Sequence, residues 1–259
     1  VADHTAIVIG AGMAGIMATR TLHEAGVDVV ALEARTRIGG RTHTDRSLGA
    51  AVDFGASWIH GPHANPLTPL VETYVITTAP TDFANRTRRA VQAYTADGTP
   101  LDMQQYSDGM HLANGRFAHM AASVVASLPA GGHASLRELY AACPPADLTP
   151  TQRAGYDYFA IMRAQFSDAA DLDEIDWRLG DNYHQLPGGD RIVVDGYNAL
   201  TDRLAAGLPI RTGLPVSGIT YSADGVRITN ADGELTAERL IITVPLGVLK
   251  AGTIAFDPP

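Results

Sequence analysis

The stretch TAIVIGAGMAGIMATRTLHEAGVDVVALEA, residues 5–34, limits the possible folds more than any other part of the chain. Ala6 to Ile9 is a short apolar run that stops at a glycine, the pattern of a buried strand. Residues 13–25 change to helical spacing, with Ile16, Thr19, Leu22 and His23 near one face, and Gly26 stands where a helix stops. VDVVALE, residues 27–33, reads as a second buried strand. Strand, helix and strand within about thirty residues make one β-α-β unit, which predicts an α/β fold. Gly10, Gly12 and Gly15 form G-x-G-x-x-G between the first strand and the helix. Gly10 allows the tight turn, Gly12 lets a pyrophosphate approach the backbone, and Gly15 lets helix and strand pack closely. The helix start, at Met13 and Ala14, offers N–H donors and partial positive charge. Glu33 ends the second strand, where a carboxylate accepts both ribose hydroxyls. That implies a free 2′-hydroxyl and favours an FAD or NAD type of ligand over NADP.

The next residues separate those two. EARTRIGGRTHTD, residues 33–45, places Ala34 and Arg35 after the acid and sets Arg35 and Arg41 either side of Gly39-Gly40. A second glycine turn and two guanidiniums near a diphosphate are more than a nicotinamide-binding unit needs. With DFGASWIHG, residues 53–61, these segments resemble the N-terminal signature of the FAD-dependent amine oxidase family. That family includes monoamine oxidases, polyamine and spermine oxidases, L-amino-acid oxidases and flavin histone demethylases. The run VDGYNALTDRLAAGLPIRTGLPVSGITYSADGVRITNADGELTAERLIITVPLGVLKAGTIAFDPP, 194–259, resembles the family's second FAD-domain portion. Within it VPLGVLK, with Pro245, is typical of the polyamine oxidase and demethylase branch. The resemblance is strong over 5–66 and 190–259 and weak over 70–185. It implies a Rossmann-like FAD-binding domain, and a role for Glu33 and Arg41 in holding ribose and diphosphate. It further implies backbone bonds from Val216 to the adenine, and Gly55, Ala56, Ser57 and Trp58 beside the isoalloxazine. Non-covalent FAD is expected, since Cys143 does not match the tethering cysteine of monoamine oxidases.

Between these two segments the character changes. Helical periods appear near 65–73, 116–128, 135–142 and 151–166, punctuated by prolines and glycines. The expected organisation is an FAD-binding domain from 1–66 and 190–259, with a mostly helical part of a substrate domain at 67–189. From Asp190 the chain returns to strands: DRIVVDG, then helical YNALTDRLAAG, then LPIRT, PVSGITYS, GVRITN, ELTAE and RLIITV. Asp224-Gly225 and Asp232-Gly233 are hairpin signals.

Composition excludes several classes. A net charge of −9 over 259 residues disfavours nucleic acid as a partner. The longest apolar run, 6–18, is too short and glycine-rich to span a bilayer, so no membrane association is expected. The single cysteine excludes an internal disulfide framework and suggests a reducing, cytoplasmic setting. No basic n-region precedes the apolar run, so no signal peptide is read and Asn85-Arg86-Thr87 reads as a chance sequon. The acidic stretch 168–181 suits either the steering of cationic amines or a solvated loop.

GASWIHGPHANP, residues 55–66, reads as a loop on its glycines and prolines, with Trp58 and Ile59 set to exclude water from a flavin. His60 matches the active-site histidine of polyamine and spermine oxidases, and neutral imidazole accepts a hydrogen bond from an amine near neutral pH. The other reading is a histidine that caps the loop. His60-x-x-His63 lacks a third ligand with metal spacing, and GASWI lacks the second glycine of a nucleophile elbow at Ser57. The resemblance implies oxidation of an amine, a polyamine or other alkyl amine first, with O₂ reduced to H₂O₂. An L-amino acid is the second substrate class, although Arg86 to Arg89 cannot be made its carboxylate anchor by spacing. A flavin-binding subunit without activity of its own is the reading from another class. Family members run longer, through a lysine near flavin N5 and a C-terminal flavin motif with an aromatic pair. Residues 1–259 alone are therefore expected to bind FAD weakly and not to turn over amines, with a second chain as one source of the missing half.

Overall fold

The computed structural model describes residues 2–81, 92–129, 132–142, 147–162, 170–176 and 186–259. In chain order its elements begin with β1 (His4–Ile9), α1 (Met13–Glu24), β2 (Val29–Leu32), β3 (Thr44–Asp45), β4 (Val52–Asp53), β5 (Trp58–His60), α2 (Thr68–Thr73) and β6 (Thr78–Thr81). The helices α3 (Met103–Ser127), α4 (Leu136–Ala142) and α5 (Pro150–Ile161) follow. The chain then forms β7 (Asp190–Val193), α6 (Asn198–Ala205), β8 (Ile210–Arg211), β9 (Val216–Ser222), β10 (Gly225–Asn230), β11 (Gly233–Ile242), α7 (Leu246–Lys250) and β12 (Ala255–Asp257). Two compact units result: Val1–Ala84 with Leu186–Pro259, and Asn85–Gln185.

The first unit is α/β. Its seven-stranded sheet has the order β12-β9-β10-β11-β1-β2-β8. β1 lies between β2 and β11 and runs parallel to both, with Ile7 opposite Val30 on one side and Leu240 on the other. Because side chains alternate across a strand, β1 feeds two cores. Ala6 and Val8 join Val29 and Ala31, against which Ala18 and Leu22 of α1 pack. Ile7 and Ile9 join Leu32, Ile219, Ile228 and Ala237. The two hairpin signals hold: Gly225 and Gly233, at φ 139° and 125°, open β10 and β11. ELTAE and RLIITV, expected as separate strands, form one strand, β11, since no turn residue interrupts them and the whole run pairs with β10 and β1.

The same unit holds a smaller antiparallel sheet of order β5-β7-β6. Here the expectation of a loop at 55–66 is corrected. Trp58–His60 is a strand, because its backbone groups find partners in β7, with Trp58 opposite Ile192 and His60 opposite Asp190. Alternation sends Ile59 inward, where it is buried with Ala11, Ile16 and Leu200. It is a core residue, 1% exposed.

The second unit is helical. Gly109 of α3 and Gly155 of α5 let the two helices meet backbone to backbone. A Cβ on Gly109 would lie 1.9 Å from the Gln152 carbonyl oxygen, and one on Gly155 would lie 1.9 Å from that of Tyr106. α5 opens with a capping box, in which Thr149 and Gln152 exchange side chain to backbone bonds. α3 begins at Met103, well before the helical period read at 116–128, since Gly109 and Gly115 interrupt the apolar pattern there. Cys143, Asn85 to Arg89 and much of the acidic stretch lie outside the described residues. Among the described residues no helix is long and apolar enough to cross a membrane.

Candidate functional site

The glycine turn between β1 and α1 is built as its spacing demands. Gly10 has φ 99°, in the left-handed region, and donates its N–H to the Leu32 carbonyl at 2.8 Å. Gly15 admits no side chain, since a Cβ there would sit 1.8 Å from the Gly10 carbonyl oxygen. Gly12 precedes α1 in extended conformation, and no side chain caps the helix. The first-turn N–H groups, from Met13 and Ala14 onward, have no acceptor within the helix and point out of its start.

Two further segments close on this turn. The buried Glu33 carboxylate accepts from the Ala11 N–H at 2.8 Å through Oε2 and from the Arg35 N–H at 2.9 Å through Oε1. Gly39 donates to the Ala11 carbonyl at 2.8 Å and bridges Gly12, so the second glycine turn lies against the first. A Cβ on Gly40 would come within 3.2 Å of the Gly12 Cα. Arg37 Nη1 donates to the Gly40 carbonyl at 3.0 Å, and Thr42 Oγ1 to that of Gly39 at 2.7 Å. Arg35 and Arg41 are exposed, and Ala34 beside them is exposed as well.

The remaining candidates fall in three places. Gly55 and Ala56 lie against Arg41, whose carbonyl accepts from the Ala56 N–H at 3.2 Å and would be 1.9 Å from a Cβ on Gly55. Ser57 and Trp58 then lead into β5, where Trp58 and His60 occupy the face opposite Ile59. Since Ile59 packs with Ala11 and Ile16, the strand that carries His60 rests on the glycine turn and its helix. Val216 is a buried residue of β9, paired with Asn230. The connection before it is tied to the segment after β2, with Leu214 N–H on the Glu33 carbonyl at 2.9 Å and Gly213 N–H on that of Arg35 at 2.8 Å. Pro245 caps α7, two residues after Thr243.

Three contributors escaped the sequence reading. Thr243 Oγ1 lies 2.9 Å from the Ile9 carbonyl and 3.1 Å from that of Gly10, so the end of β11 braces the glycine turn. Its signal was a hydroxyl residue between an apolar strand and a proline. Arg37 stood in the same basic run as Arg35 and Arg41. Asp190, 2.7 Å from His60 Nδ1, has no local signal, because its partner is 130 positions away. Nearby, Tyr197 is buried at the start of α6. Burial first, and the Asp53 carboxylate second, push its phenol above the ordinary value.

The donor set suits a dinucleotide. Uncapped helix N–H groups and two glycine turns without side chains leave backbone for a diphosphate to approach. Glu33 has four lone-pair sites, of which backbone N–H groups fill two, and the others remain for a ribose diol.

Comparison with known proteins agrees with this geometry. The sequence profile of the flavin containing amine oxidoreductase family matches residues 13–259. Polyamine oxidase 2 of Arabidopsis thaliana is 34% identical over 97% of this chain and 53% of its own length. Polyamine oxidase 4 of Oryza sativa subsp. japonica shows the same identity and coverage. Lysine-specific histone demethylase 2 of Homo sapiens is 29% identical over 99% of this chain and 32% of its own. A redesigned putrescine oxidase superposes with a TM-score of 0.68 at 20% identity, covering 99% of this chain and 61% of that one, a likeness of fold. The chain spans about half the length of the plant relatives it matches. FAD is the cofactor these matches imply, and the two glycine turns with Glu33 are shaped to receive it. A profile match across nearly the whole chain places this protein in the flavin containing amine oxidoreductase family.

Proposed function

We propose that the protein oxidises an amine, with a polyamine or other alkyl amine as the substrate class, and that residues 1–66 and 190–259 bind FAD non-covalently while 67–189 form part of a substrate-binding domain. The observation that carries this reading is Glu33 held by two backbone N–H groups beside paired glycine turns, in a chain 34% identical to polyamine oxidases. Held by these residues, FAD would supply two-electron, hydride-accepting chemistry, by which an amine would be converted to an imine that water hydrolyses, with O₂ as the final acceptor giving H₂O₂.

The chain's own residues do the rest. Gly10, Gly12, Met13, Ala14 and Gly15 bring backbone N–H groups to the diphosphate, and Gly39, Gly40, Arg35 and Arg41 add a second turn and positive charge. Glu33, followed by Ala34, receives the ribose. Val216 offers its backbone to the adenine, and Pro245 opens α7 two residues after Thr243, which braces the glycine turn. Gly55, Ala56, Ser57 and Trp58 line the redox ring. His60, on the same strand face as Trp58, accepts a hydrogen bond from the neutral amine and so orients it.

The test uses the full-length gene product, loaded with FAD and freed of oxygen. Polyamines are expected to bleach the flavin absorbance, and readmitted O₂ to yield one H₂O₂ for each amine oxidised. Bleaching by L-amino acids alone would move the substrate class. A flavin that stays oxidised with every amine and amino acid would leave a binding module without this activity.

A further inference from the structure

The pairing of β5 with β7 sets His60 opposite Asp190, and their side chains meet: Nδ1 lies 2.7 Å from Oδ1. The two differ sharply in exposure. The Asp190 side chain is 9% exposed and that of His60 is 56% exposed. A carboxylate oxygen accepts and does not donate, so Nδ1 carries the hydrogen in this contact. In a neutral ring the other nitrogen, Nε2, is then a bare acceptor on the exposed edge. A free histidine side chain in water prefers the opposite tautomer, with hydrogen on Nε2. A buried carboxylate behind one ring nitrogen and an open lone pair on the other is the arrangement by which proteins aim a histidine.

The surroundings hold this pair in place. Gly61 donates to the Gly189 carbonyl at 2.7 Å, which extends the ladder past His60, and Asn65 Nδ2 donates to the His60 carbonyl at 2.8 Å. Gly61 has φ 60°, and a Cβ there would lie 2.2 Å from that of Leu186, so the turn after His60 has one tight conformation. Arg191, the charged neighbour on β7, faces away and donates to the Thr78 hydroxyl at 2.8 Å and carbonyl at 3.1 Å, leaving Asp190 to the imidazole.

We propose that Asp190 is the positioning residue of His60: it fixes the Nδ1–H tautomer and presents Nε2 as the acceptor for the substrate amine. The tautomer stands on geometry alone, whereas the amine contact rests on the function proposed above.

Long-range ¹H–¹⁵N correlation of the histidine rings tests the two parts separately, with His60→Gln identifying the signal. At a pH where imidazole is neutral, the parent chain is expected to show the Nδ1–H form. Asp190→Asn and Asp190→Ala are expected to shift the population toward Nε2–H. A parent ring already in the Nε2–H form, or a tautomer unmoved in both variants, overturns the proposal. The parent spectrum decides even if Asp190→Ala fails to fold. A polyamine added to the FAD-loaded full-length product is expected to shift the Nε2 resonance, and Asp190→Asn to lower kcat/KM about tenfold or more while FAD retention holds. An Nδ1–H ring whose Nε2 ignores the polyamine would overturn the amine contact and leave the positioning role standing.

Discussion

Glu33 joins an observed role to a proposed one at a single carboxylate. Its oxygens accept the Ala11 and Arg35 N–H groups, and the proposed function gives the same oxygens to the ribose. In Glu33→Gln one oxygen becomes an NH₂ that faces a backbone donor. Folding stability is expected to fall by about 1–3 kcal/mol, and FAD to dissociate at least about tenfold more easily, equivalent to about 1.4 kcal/mol. Urea unfolding without flavin and titration with flavin measure the two losses apart. Unchanged flavin retention would remove Glu33 from the ribose site. Asp202, on α6, gives a pH signature. Although the residue is exposed, partial desolvation of its carboxyl raises it above the ordinary 3.8, against a smaller downward pull from Arg46. The folded chain therefore holds this proton more tightly than the unfolded one. Its stability falls as pH rises through the window that opens above 3.8 and stays lower beyond it. Asp202→Asn is thus expected to be more stable than the parent near neutrality, and the advantage to close below 3.8. A variant whose urea midpoint shows the same difference at both ends of that range would contradict the assignment.

At the scale of elements, contact distance decides what the sequence could reveal. The β1–α1–β2 unit was legible because its glycines work close by in sequence, Gly15 against Gly10 and Gly12 against Gly39-Gly40 within thirty residues. The strand β5 was not. It has three residues flanked by glycine and proline, and its partner β7 lies some 130 positions on. β6 hides for the same reason, with Pro80 inside it. The brace from Thr243 to the glycine turn and the pair of His60 with Asp190 are tertiary facts that no local pattern carries. The glycines of α3 show how a misleading local signal arises. Gly109 weakens the helical reading, yet tertiary structure requires it, since a Cβ would meet the Gln152 carbonyl at 1.9 Å. Gly115 has nothing within 4 Å of such a Cβ. Gly109→Ala is expected to lower the melting temperature, because overpacking costs about 1–3 kcal/mol and outweighs the helix preference of alanine. Gly115→Ala is expected to raise stability by up to about 1 kcal/mol. Equal shifts in the two thermal melts would show that α3 and α5 do not meet as closely as their glycines permit.

At the scale of the whole molecule, the α/β class was readable because residues 5–66 and 190–259, which fall in one compact unit, carry the densest motifs. The helical unit gave only periods, since helices that pack through glycines and polar residues leave a faint apolar stripe. What joins the two halves is the central position of β1, between a strand close in sequence and one near the far end. Ile7 pairs with Val30 within the first β-α-β unit and with Leu240 of β11. During translation the first pairing becomes available early. The second waits for more than two hundred further residues, roughly ten to forty seconds at about 5–20 residues per second. Through that interval the nascent chain presents an apolar strand with one unsatisfied edge, the form most prone to joining a neighbouring polypeptide. Yield in a cell should then follow chaperone supply and elongation rate more closely than the stability of the finished fold.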